Sequence, residues 1–102
     1  MVDQLDRYGG YRHIVVFAFY REVTAMAFHE AIRDLERLGS ERNVGTFRVR
    51  ESVDLRKGRV VLFDAWFLDQ EQFGRFTRST LHGEVVERLR LIADWWVCDY
   101  FE

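Results

Sequence analysis

The segment Tyr11–Tyr20, YRHIVVFAFY, constrains this chain more than any other. Its β-branched and aromatic side chains mark a strand. Along a strand side chains alternate between faces, so His13, Val15, Phe17 and Phe19 share one face and Ile14, Val16, Ala18 and Tyr20 the other. Both faces are apolar, and a strand of this kind needs cover on both sides. The ten residues before it, Met1–Gly10, read as a flexible leader, with a single domain over residues 11–102.

The segments that follow supply the cover. Thr24 is placed to cap a helix running to Leu38, closed by Gly39 at its C-terminal end. Phe28, Ala31, Ile32, Leu35 and Leu38 recur at helical spacing and form its apolar stripe. Asn43–Val53 alternates as a second strand, and Arg59–Phe67 reads as a third, joined to it by a hairpin. Pairing Val53 with Arg59 would set Asp64 opposite Arg48. Asp69 and Gln72 form a D-x-x-Q capping box for a short helix, a second helical stretch covers about Leu81–Ala93, and Trp95–Phe101 closes the chain as a fourth strand. The order is βαββαβ, an α+β chain of the ferredoxin-like type with a four-stranded antiparallel sheet and its helices on one face. The other face would then expose Ile14, Val16, Ala18, Leu62, Trp66, Trp96 and Tyr100. A patch of that size marks an interface, and a homodimer with sheets face to face, a dimeric α/β barrel, is expected.

Composition narrows the partners. The net charge of the 102 residues is −2, which gives no electrostatic footprint for nucleic acid. The longest apolar stretch, Ile14–Tyr20, is far below the ~20 residues that span a bilayer, so no membrane association is expected. A single cysteine, Cys98, fits a reducing, cytoplasmic setting. No two of His13, His29, His82 and Cys98 have metal-ligand spacing, so no metal is expected. His29 falls on the wet face of the first helix and is assigned no role.

The opening Y-R-H-I-V-V-F, the segment S-T-L-H-G-E-V-V and the closing V-C-D-Y-F resemble the stress-responsive A/B barrel (Dabb) family over roughly Tyr11 to Phe101. The resemblance implies a dimeric α/β barrel with a pocket between sheet and helices. Olivetolic acid cyclase-type members close a polyketide ring there without a cofactor. On the matching positions, His13 stands for the first-strand histidine, His82 for the second histidine of an H-P-x-H segment, and Asp99 for the aspartate that holds the catalytic histidine. Ser79 and Thr80 replace the His and Pro of that segment. Phe76 stands where the cyclase type has a pocket tyrosine, and Val61 where it has a third-strand histidine.

From strand parity, Asp99 lies on the face of Trp95, Val97 and Phe101, in an otherwise apolar layer, and requires a donor. The expected donor is His82. The pair is either a general base with its orienting carboxylate, His82 titrating above its ordinary range, or a buried structural hydrogen bond. His13 either lines the pocket and donates to a substrate carbonyl or is a strand-end histidine reaching solvent or a backbone carbonyl. Phe17, Phe47, Val61, Phe63, Phe73, Phe76 and Trp95 are the expected pocket walls, suited to a flat, largely apolar small molecule. Three functions follow: a cofactor-independent lyase, cyclase or isomerase acting on an activated, polyketide-like carbonyl compound; a non-catalytic ligand-binding or stress-associated homodimer; and a cofactorless monooxygenase of aromatic polyketides.

Overall fold

Seven elements follow one another in the computed structural model, which describes residues 9–102: β1 (Tyr11–Phe19), α1 (Ala25–Gly39), β2 (Thr46–Glu51), β3 (Val60–Phe67), α2 (Gln70–Thr77), α3 (Thr80–Leu89) and β4 (Ala93–Phe101). Residues 1–8 of the expected leader lie outside the described residues. The strands form one antiparallel sheet in the order β2-β3-β1-β4. β3 is inserted between β1 and β2, and β1 between β3 and β4, which is the split βαβ arrangement of the ferredoxin-like fold. β1 is therefore central, as its two apolar faces demand.

Each helix begins on a side-chain cap. Thr24 Oγ1 accepts from the Ala27 N–H at 3.1 Å, Asp69 Oδ1 from the Gln72 N–H at 2.9 Å, and Ser79 Oγ from the His82 N–H at 3.1 Å. The capping box at Asp69 is only half made. Gln72 Oε1 instead accepts from Asn43 Nδ2 at 2.8 Å and ties the loop before β2 to α2. Gly39 is not a left-handed terminator, because α1 runs through it and Ser40 caps the end. Glycine is needed there for space: a Cβ would sit 2.1 Å from Cδ2 of Phe47. The last helix stops at Leu89, and the N–H groups of Leu91 and Ile92 bond back to Arg88 and Leu89. β4 accordingly begins at Ala93, paired with Phe19, so sheet pairing overrides the helical pattern expected there. β2 is an edge strand and pairs only over Thr46–Glu51, which leaves Val53 98% exposed.

The core lies between the helices and one face of the sheet. Val15, Phe17 and Phe19 of β1 and Val61, Phe63, Ala65 and Phe67 of β3 meet Phe28, Leu35, Phe76, Val85 and Leu89 from the helices. On the opposite face Ile14, Val16, Ala18 and Leu62 are half-buried, whereas Trp96 is 63% exposed. Trp66 is sheltered on that face because its indole lies on Gly10 and Gly45, where any Cβ would come within 2.4–2.5 Å of the ring. Arg48 stands opposite Asp64, as expected, and Arg12 joins them, its Nη1 donating to Asp64 Oδ1 at 2.9 Å. Cys98 is exposed on the same face. Among the described residues no helix is long and apolar enough to cross a membrane.

Phe67 is fully buried under α2, so Phe67→Ala should cost about 3–5 kcal/mol of unfolding free energy. Urea denaturation checks it; a loss below about 1 kcal/mol would mean that the site collapses without a cavity.

Candidate functional site

A cavity of about 330 Å³ lies between the sheet and the helices, walled largely by apolar side chains from β1, β3, β4 and all three helices. His13, His82 and Asp99 all border it, together with Thr77. Of the expected walls, Phe17, Phe63, Phe73, Phe76 and Trp95 line it, but Phe47 and Val61 do not. Phe47 lies on the edge strand with its ring over Gly39, and Val61 is fully buried in the core, paired with Phe17. A larger groove of about 620 Å³ runs outside, between α1 and α3. Arg37 and Arg88 both pair with Asp34 there, and no histidine, cysteine, serine or threonine lines it.

The partner of Asp99 is His13, not His82. In the β1–β4 ladder Asp99 stands directly opposite His13. Directly opposed side chains on neighbouring antiparallel strands have Cβ atoms about 4.5–5.5 Å apart, within easy reach of one another. The His13 Nδ1 to Asp99 Oδ1 distance is 2.6 Å. A carboxylate oxygen accepts, so Nδ1 carries the proton and Nε2 is the nitrogen left for the cavity. The second oxygen of Asp99 accepts from the Tyr11 hydroxyl at 2.7 Å, a contact that strand parity alone did not bring out. Pairing Tyr11 with Phe101 along the two strands would have disclosed both bonds. His13 is buried, with its ring 4.9 Å from that of Phe73.

His82 occupies the first turn of α3, where Ser79 fixes its backbone, and its ring packs edge-on against Phe76 at 5.1 Å. Its pKa is pushed below the ordinary histidine value, first by burial and then by the positive charge that His13 can carry, with Glu41 opposing. The expected upward shift is therefore reversed, because the carboxylate that would have produced it belongs to His13. Two imidazoles thus border one apolar cavity, His13 bonded to a carboxylate and His82 packed on a phenyl ring. Among the described residues no group of three or more His, Cys, Asp and Glu side chains is arranged to hold a metal ion.

No family model matches the sequence, and no curated protein does. Solved structures are similar in fold. A Dabb family protein with a ferredoxin-like fold from Mesorhizobium loti superposes with a TM-score of 0.76 at 21% identity, over 92% of this chain and 97% of that one. A dimeric ferredoxin-like protein of unknown function from Thermobifida fusca gives 0.80 at 15% identity, over 92% of each chain. A hydroxynitrile lyase from Passiflora edulis gives 0.79 at 16% identity, over 90% of this chain and 92% of that one. The fold that the resemblance implies is thus the one observed, and it is shared with the Mesorhizobium loti protein.

The depressed pKa of His82 has a thermodynamic consequence. A histidine that protonates less readily folded than unfolded leaves stability intact above its unfolded value of ~6.5 and removes it as the pH falls below that. Urea midpoints should drop between pH 7.5 and pH 5, and His82→Gln should flatten that drop. A variant with an unchanged pH dependence would place the titration elsewhere.

Proposed function

We propose that the cavity is the acid–base site of a cofactor-independent enzyme, a lyase, cyclase or isomerase acting on a small molecule with an activated carbonyl, and that the chain is a Dabb-type protein. The observation that carries this reading is the 2.6 Å His13–Asp99 pair in the wall of an apolar cavity. Asp99 fixes the His13 tautomer and stabilises the imidazolium that forms when Nε2 takes a proton, which is how a carboxylate makes an imidazole a competent base. The proton would leave the carbon next to the carbonyl, and the bonding pair would pass to the carbonyl oxygen as an enolate. His82, held neutral by burial, is suited to donate a hydrogen bond to that oxygen, and a charged His13 discourages its protonation further. The roles expected of the two histidines are thereby exchanged. Aromatic walls would hold the ligand in a reactive shape, which is a large part of the acceleration in ring closure. The lyase among the structures of like fold supports chemistry of this class.

We infer further that the protein is a homodimer through the free face of its sheet and works in the cytoplasm. Trp96, Tyr100 and the half-buried Ile14, Val16 and Leu62 would otherwise meet water, and the Thermobifida fusca protein of the same fold is described as dimeric.

Against candidate activated-carbonyl substrates, His13→Ala should lose on the order of 10²–10⁴ in turnover while ligand binding survives. Equal turnover by wild type and variant would make the cavity a binding site. In sedimentation the wild type should run as a dimer, and Leu62→Asp should give aggregated or unfolded chain. A wild-type monomer, or a well-folded Leu62→Asp monomer, would remove the face-to-face interface.

A further inference from the structure

Asp99 has two carboxylate oxygens, and each is taken by a different donor. Oδ1 accepts from His13 Nδ1 and Oδ2 from the Tyr11 hydroxyl. Tyr11 and His13 are two residues apart on β1 and so share a face, while the ladder sets Asp99 opposite His13 and Phe101 opposite Tyr11. The Tyr11 ring is held by contacts of its own. It stacks on Phe73 with centroids 4.4 Å apart and planes at 22°, and it meets Phe101 edge-on at 5.3 Å. Packing therefore delivers the hydroxyl to Asp99.

We propose that Tyr11 is a positioning residue for the His13–Asp99 pair, fixing the plane of the carboxylate so that the His13 proton stays on Nδ1 and the Nε2 electron pair stays free for the cavity. The torsion that turns an aspartate carboxylate is broad and nearly two-fold, so a carboxylate held at one oxygen is free to swing. A second, charge-assisted bond from a rigid phenol removes that freedom. It also draws electron density from the carboxylate and restrains it from taking the His13 proton. Tyr11 is not a proton relay. Burial, and then its bond to Asp99 and the negative charge there, push the phenol well above its ordinary range, so it acts as a fixed donor. The titratable groups facing His13 are Asp99 from β4, Tyr11 from its own strand and His82 from α3, while Phe63 of β3 and Phe73 and Phe76 of α2 complete its surroundings.

This inference rests on reading His13 as the base, yet its test needs no turnover. Nitrogen-15 NMR of the histidines in Tyr11→Phe, which keeps the ring and its stacking, should show the His13 ring signals moved toward the protonated form relative to wild type at the same pH, because the carboxylate becomes more basic once it loses a donor. In an Asp99→Asn background the same substitution should add no shift, since Tyr11 acts through the carboxylate. A Tyr11→Phe titration equal to wild type, or an equal shift in both backgrounds, overturns the proposal. The wild type supplies an independent check: carbon-13 NMR should find Tyr11 still protonated well above the ~10 of an ordinary phenol, and Tyr11 titrating at that value also overturns it. Turnover by His13→Ala decides the catalytic reading separately, so the two can fail apart.

Discussion

β1 is one of the two inner strands of the sheet, paired with β3 on one side and β4 on the other and packed against the helices by its buried residues, and the rest of the molecule is arranged around it. Val15, Phe17 and Phe19 give the helices something to pack on, while Ile14, Val16 and Ala18 give the opposite side a surface that water does not suit. Its ladder with β4 puts the closing residues of the chain beside the opening ones, and that long-range pairing assembles the acid–base group. The tertiary requirement comes first, and the chemistry is located by it.

The fold was legible because it rests on periodicity and caps. Thr24 and Asp69 serve as the N-caps their positions suggest, and from His13 onward the alternation in β1, like that in β3, divides buried from half-buried residues. What escaped was set by contacts between distant segments. Gly39 looks like a terminator by position, but its neighbour Phe47 makes it a spacer inside the helix. Ile92 continues a helical stripe in sequence, yet the bond from the Tyr20 N–H to its carbonyl belongs to the turn into the sheet. In each case a contact more than five residues away outweighed a local preference.

The candidate site was half legible for the same reason. Strand parity identified the face of His13 and Asp99, and the family resemblance pointed to His82, which the structure does set at the cavity. Parity says which face a side chain occupies and nothing of which neighbour it meets. Register says that, and register depends on how β4 lies along β1. Phe47 was assigned to the cavity on parity alone, although β2 at the sheet edge is too far from β4 for its ring to share a wall with Trp95. Tyr11 went unnoticed because tyrosine at a strand start is ordinary until the carboxylate beside it is known.

The three tryptophans occupy three different environments. Trp95 borders the cavity, Trp66 lies on two glycines that belong to the segments flanking the sheet, and Trp96 stands in the open on its free face. Indole emission depends on the polarity around the ring, so the chain carries three optical reporters with separable meanings. A molecule entering the cavity meets the first, loosening of the segments at Gly10 and Gly45 releases the second, and anything that settles on the sheet dries the third.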